Sequence, residues 1–302
     1  MDDKKNIAIT ADSTCDLPDS YVKENEITVI PLSILLGDKV YHDGVDIKPA
    51  DIYKYVDEHG TLPKTSAVTP AEYHEVFKRL TDEGKKVVHI GFSSGLSSSF
   101  QNACVAAEEF DDVYCVDSKS LCTAMGLLVL KACDYRDKGM EAKRIADKVN
   151  KLVPKVSATF VLENLEYLHK GGRCSGIAKF GANVLGIKPS IAVETQNGRL
   201  EIAKKYRGRM DVVYKQYAAD RLSEIKKVQP DRVVIADSGG ISPDTIAFVK
   251  GMIEGKDKFE NVILADAGCT ISSHCGPKTL AVFYIKSCLL YTSPSPRDKR
   301  QS

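Results

Sequence analysis

The chain has 302 residues, 43% of them hydrophobic, with 42 Lys or Arg against 41 Asp or Glu and a formal net charge of +1. That length accommodates two domains of ordinary size around a real core, and the near-zero charge exerts no bulk pull toward nucleic acid or a membrane surface. There is no Trp and no run of aromatics interleaved with Lys and Arg, which argues further against nucleic acid.

The N-terminus passes from Met1-Asp-Asp-Lys-Lys straight into a predicted strand, without the apolar stretch of a secretory signal. The longest nearly apolar run, Leu121–Leu130, is about half of what a membrane span needs. A cytoplasmic protein with no integral membrane segment is expected. Ile7–Thr10 reads as a strand that leads into an Asp/Ser/Thr-rich loop, and Pro18 opens a short helix. Ile27–Leu36 alternates and reads as one strand, with a turn at Gly37-Asp38 and a short strand at Val40-Tyr41. Pro49 starts a helix over Ala50–Glu58. Thr69-Pro70-Ala71-Glu72 is a capping box with Pro at the first helical position, which predicts a helix over Pro70–Glu83.

Strands at Val87–Ile90 and Val113–Val116 bracket a predicted helix, Leu96–Glu109. Leu121–Arg136 and Ala142–Leu152 are helical by period. This alternation implies βαβ units and a parallel sheet. The rhythm then changes. Thr159–Leu162 reads as a strand, and Leu165–His169 and Gly176–Leu185 as helical stretches. Ile187–Glu194 and Arg199–Lys205 flank Gln196-Asn197-Gly198, a hairpin signal. Helix Met210–Val228, strand Val233–Ala236, helix Pro243–Ile253 and strands Val262–Ala265 and Leu280–Ile285 complete the pattern. The expected fold is α/β. A three-layer α/β/α domain with a mostly parallel sheet spans residues 1–155, an α+β domain spans 156–287, and a ligand sits between them. Residues 288–302, CLLYTSPSPRDKRQS, change composition abruptly and resemble translated sequencing-adaptor sequence, so they are read as a non-native tail.

Nine cysteines are scattered without a CxxC or a Cys/His cluster of zinc spacing, and the six histidines include no HExxH. They read as buried thiols, and no metal or cofactor is expected. His42-Asp43-Gly44-Val45-Asp46 has a faint look of a calcium loop but lacks the length and the closing Glu, so it reads as a turn.

Three polar turn motifs remain: Lys64-Thr65-Ser66, Gly91–Ser97 (GFSSGLS) and Ser273–Pro277 (SHCGP). The second lies between a strand and a helix, where the first helical N–H groups are unpaired and the helix dipole is positive. With the hydroxyls of Ser93, Ser94 and Ser97 it suits a carboxylate or phosphate. Loops beyond strand C-termini line the crevice of α/β sheets, so the first two motifs are placed to meet there. Gly91-Phe92-Ser93-Ser94-Gly95 also fits G-x-S-x-G, with Asp237 or Asp266 and His274 following in hydrolase order. A serine esterase using Ser93 with His274 therefore stands beside the anion-binding reading. Asp12 and Ser13 are weaker candidates for the same crevice. Arg173, after a Gly171-Gly172 helix end, is a candidate for facing an anion. Arg207, in the basic run Lys204–Arg209, fits a solvated face or an acidic partner.

Taken together and in order, ITADSTCDLP, PKTS at Pro63–Ser66, SSGLSSSFQNA at Ser93–Ala103, VDS at Val116–Ser118, LEYLHKGGR at Leu165–Arg173, IKPSI at Ile187–Ile191 and SHCGP resemble the DegV family, from Ile7 to about Lys286. The resemblance implies a fatty-acid-binding protein that is no enzyme itself. Such a subunit presents a long-chain fatty acid to a separate ATP-dependent fatty acid kinase for acyl-phosphate formation and phospholipid synthesis. It further implies that Thr65 and one of Ser93 and Ser94 bind the carboxylate, with Ser66 and Ser97 close by. His274 would stand beside the carboxylate, where a histidine can hydrogen-bond it and help balance its charge, and Arg173 and Arg207 would lie near the mouth or the kinase surface. Two positions depart from the family pattern: Lys278 stands where Gly is common, and Ser98-Ser99 replaces Gly-Thr. Physics accords with that role. Burying an acyl chain contributes about 0.8 kcal/mol per CH₂, and convergent hydroxyls and helix N–H groups offset the desolvation of the carboxylate. The apolar helices Leu121–Ala132 and Gly176–Leu185 are expected as walls of the acyl tunnel.

Overall fold

A computed structural model describes residues 6–173, 186–225 and 228–287. Its elements in chain order are β1 (Ile7–Asp12), α1 (Asp19–Glu24), β2 (Thr28–Ile30), β3 (Ser33–Leu36), β4 (Lys39–His42), α2 (Pro49–His59), β5 (Lys64–Ser66), α3 (Pro70–Asp82), β6 (Lys86–Gly91), α4 (Ser99–Ala107), β7 (Val113–Asp117), α5 (Cys122–Asp137) and α6 (Ala142–Asn150). They continue with β8 (Val156–Ser157), β9 (Thr159–Val161), α7 (Glu166–Gly171), β10 (Ile187–Val193), β11 (Leu200–Arg207), α8 (Met210–Ser223), β12 (Val228–Asp237), α9 (Pro243–Glu254), β13 (Asn261–Asp266), α10 (Cys269–Cys275) and β14 (Leu280–Lys286).

The fold is mixed α/β, with three sheets among the described residues. The first half builds a parallel sheet in the order β2-β1-β6-β7, and the second builds a mixed sheet in the order β11-β10-β9-β14-β12-β13, with β8 paired to β14. A third, antiparallel sheet of order β4-β3-β5 lies apart from both. β1 and β6 are buried on both faces, as strands of a sheet covered on both sides are. The capping box of Thr69 and Glu72 starts α3, and the Gln196-Asn197-Gly198 segment closes the β10–β11 hairpin.

Several expected boundaries shift. Ile27–Leu36 is two strands, because Pro31 has no N–H for a ladder and the chain turns there into the third sheet. Lys64-Thr65-Ser66, expected as a turn, is strand β5. The helix expected from Leu96 starts at Ser99, since Gly95 and the serines form a turn in which the Leu96 and Ser97 amides donate to Ser93 O. The helix expected to reach Val228 ends at Ser223, and β12 begins at Val228. Ser273–Pro277, expected as a turn motif, falls mostly within α10. The expected helix Gly176–Leu185 and the tail 288–302 lie outside the described residues.

From Cys122 to Leu130, helix α5 is buried around its whole circumference, the pattern of a helix without a solvent face. It packs on β1 and β6 of the parallel sheet and on β12 and β14 of the mixed sheet. At its polar end Arg232 grips Asp134 with both guanidinium nitrogens, at 2.6 and 2.8 Å. Of the run Leu121–Ala132 expected as tunnel wall, only Leu121 and Cys122 reach the cavity described below; the rest is core between the sheets. Leu128 is fully buried there. Leu128→Ala is expected to destabilise the protein by roughly 2–5 kcal/mol, read as a lower urea midpoint with unchanged m-value.

Candidate functional site

A cavity of about 620 Å³ opens between the parallel sheet, the mixed sheet and α10, a size typical of small-molecule sites. Phe92, Leu96, Phe160, Leu168, Ile271 and Phe283 contribute to its apolar lining. The structure brings Thr65, Ser66, Ser94, Ser97, Arg173 and His274 onto this one wall, although they come from four separate parts of the chain. Asp12, Ser13, Ser93 and Arg207 are not on it.

His274 occupies the last turn of α10. Its Nε2 lies 2.9 Å from Thr65 Oγ1, and its buried Nδ1 has no partner. Burial, and then the charge of Arg173, push the imidazole down to about 4. The ring is therefore neutral at pH 7 in this geometry. The cation on the wall is Arg173, whose guanidinium donates to Gly171 O at 2.6 Å just past α7. That helix ends at Gly172, at φ +69°, as its Gly-Gly sequence predicts.

Ser94 and Ser93 divide two tasks. Ser94 Oγ accepts from Lys119 Nζ at 2.6 Å, which leaves its own proton free to donate into the cavity. Asp117 organises this corner: it pairs with Lys119 Nζ at 2.8 Å and accepts from the Ser94 and Lys119 amides. Ser93 faces away. Its hydroxyl is fully buried and donates to Gly198 O at 2.8 Å, docking the β10–β11 hairpin onto the loop. Gly198, at φ +70°, has no room for a side chain, since a Cβ there would meet Ser93 Oγ. Ser97 lines the cavity while its Oγ accepts from the Ser99 amide at 3.1 Å, so it caps the helix start.

Asp12 works from behind. Its Oδ2 accepts from the Phe92 amide at 2.7 Å and its Oδ1 from the Tyr73 hydroxyl at 2.5 Å. Burial pushes its carboxyl up to about 6, against those two hydrogen bonds. Beside it, burial pushes His89 down to about 3. Ser13 bonds Asp43, away from the cavity. Arg207 is exposed at the end of β11. Lys278, where the family pattern commonly has Gly, adopts φ +60°, so the backbone keeps the left-handed conformation a glycine would take.

The esterase arrangement is not built. Ser93 Oγ is committed to the hairpin, His274 Nδ1 meets no carboxylate, and Asp237 accepts instead from the Gly239 amide. Sequence reasoning also missed Lys119 and Asp117, whose only signal was the Val116-Asp117-Ser118 match. Among the described residues, no group of three His, Cys, Asp or Glu is arranged to hold a metal ion, and no helix is long and apolar enough to cross a membrane.

Comparison with known proteins accords with this architecture. A DegV domain-containing protein of Clostridium acetobutylicum is 33% identical over 284 residues, covering 93% of this chain and 99% of its own. A solved structure described as fatty acid binding of a DegV family protein from Thermus thermophilus superposes with a TM-score of 0.85 at 26% identity, covering 93% of this chain and 99% of that one. A Thermotoga maritima structure said to reveal fatty acid binding function gives 0.76 at 25% identity, covering 93% and 99%. The family described as "Uncharacterised protein, DegV family" matches residues 6–287, and with that span the chain belongs to the DegV family.

Proposed function

We propose that the cavity holds one long-chain fatty acid and that the protein presents its carboxylate to an ATP-dependent fatty acid kinase. The observation that carries the reading is the wall itself: one apolar cavity of about 620 Å³ with hydroxyls, a neutral imidazole and a guanidinium set into it. An apolar chain gains by leaving water, whereas its carboxylate is costly to bury without donors. Ser94, with its proton free, and Thr65, whose oxygen accepts from His274 when the ring carries its proton on Nε2, are the hydroxyls that donate to the carboxylate, with Ser66 and Ser97 beside them. Arg173 supplies the compensating charge. Leu168, Phe160 and Phe283 line the acyl chain. The fatty acid binding described for the Thermus and Thermotoga relatives supports the ligand class. Binding forms no covalent bond to the protein, so a carboxylate oxygen stays available to a phosphoryl donor. The exposed Arg207 is proposed for the kinase side.

Native mass spectrometry of the purified chain is expected to show a co-purified fatty acid; a chain that is ligand-free and fails to bind added palmitate would overturn the reading. Ser94→Ala and Thr65→Ala are each expected to weaken palmitate binding by about 1–3 kcal/mol, the effect of losing one hydrogen bond to a charged group, measured by displacement of a fluorescent fatty acid. Arg207→Ala is expected to leave palmitate binding intact and to slow acyl-phosphate formation with a fatty acid kinase and ATP. The neutral imidazole also has a signature in stability. His274 titrates near 4 when folded and near 6.5 when unfolded, so the unfolded state binds the extra proton between those values and stability is lost as pH falls through that window. His274→Gln is expected to make the pH–stability curve shallower there, by up to about 1.4 kcal/mol per pH unit, in urea titrations at pH 4 to 7.

A further inference from the structure

Helix α10 is seven residues long and carries His274 in its last turn. So short a helix is not stable by itself, and its N-cap, Gly268, has no side chain to offer. The acceptor comes from 226 residues away. Asp43 Oδ1 accepts from the Cys269 amide at 2.7 Å, and its Oδ2 accepts from the Thr270 amide at 3.3 Å. The carboxylate is held in turn. The Ser13 hydroxyl donates to Oδ2 at 3.0 Å while accepting from the Leu32 amide, and the Asp43 amide donates to Leu32 O at 2.9 Å. Asp43 is 2% exposed.

The geometry closes around Gly268. A Cβ there would stand 2.5 Å from Asp16 Oδ1 and 3.2 Å from Asp43 Oδ1, so both carboxyls press on the α-carbon of the helix start. Asp16 is buried too, and burial and the neighbouring Asp43 push its carboxyl up to about 8. Cys269 packs with Ile34, Ile47 and Ile52, and its thiol points to Ile47 O at 3.3 Å. At the other end of α10, His274 meets Thr65 of β5, a strand of the sheet whose β4 leads directly into Asp43. The small antiparallel sheet thus touches α10 at both ends.

We propose that Asp43 is a positioning residue for this site: by capping α10 from the small sheet, it sets where His274 stands against Thr65. The consequence for ligand binding rests on the fatty acid reading above, while the placement of His274 does not. Ring-¹⁵N-labelled histidine spectra of the full chain, with His274 assigned by its loss in His274→Gln, test the two separately. Asp43→Ala is expected to shift the His274 signals, to move its titration up toward the ordinary histidine range, and to weaken palmitate binding roughly tenfold, the scale of a lost helix cap. Asp43→Asn keeps one acceptor oxygen and is expected to fall between wild type and Asp43→Ala; it carries the test if Asp43→Ala does not fold. His274 signals and titration unchanged in these variants would overturn the proposal, whatever palmitate does. His274 signals that move while palmitate affinity stays at the wild-type value would uphold the positioning role and remove His274 from the head-group site.

Discussion

A backbone N–H taken out of water must find an acceptor, and the loops around this cavity leave several without one. Three aspartates meet that need. Asp12 takes the Phe92 amide, Asp117 takes those of Ser94 and Lys119, and Asp43 takes those of Cys269 and Thr270. None of the three lines the cavity. Each fixes a segment that does, and each reaches it from another part of the chain. The side chains that face the ligand space are therefore only the visible layer of an arrangement whose rigidity is set one shell further out.

This division also explains why adjacent serines differ. In the turn after β6 the Asp12 and Asp117 contacts fix the backbone on both sides of Ser93. One hydroxyl is then directed outward to the hairpin and the next toward Lys119 and the cavity. The ammonium of Lys119, balanced by Asp117, orients the Ser94 hydroxyl so that its proton points away from the cation. A neutral imidazole beside Thr65 adds polarity without adding a second buried charge, which would be expensive in so apolar a wall.

Elements with strong local signals were legible in the sequence: the capping box of α3, the β10–β11 turn, the buried strands β1 and β6, and the apolar first turns of α5. The polar motifs were legible as a set, since Thr65, Ser94 and His274 do share one cavity. What was not legible depended on distant partners. α10 has too few residues to show a period, and its first amides are capped by a carboxylate at the end of β4. The break at Pro31-Leu32 was hidden by an alternation that runs through it. Spacing could not tell Ser93 from Ser94, because side-chain direction in a turn follows from hydrogen bonds made elsewhere. Lys278 shows the converse: its residue type breaks the family pattern, yet the Tyr214 hydroxyl on its carbonyl and its own amide on Gly239 O hold the backbone in the glycine-like conformation.

The apolar helix α5, gripped by both large sheets, has a mechanical consequence. Swinging the two halves of the molecule apart like jaws would bare to water one apolar side of a helix that is buried from Cys122 to Leu130, at a cost that grows with the area exposed. The two large sheets are therefore coupled through one spine, and a change in the shape of the cavity costs least at its rim.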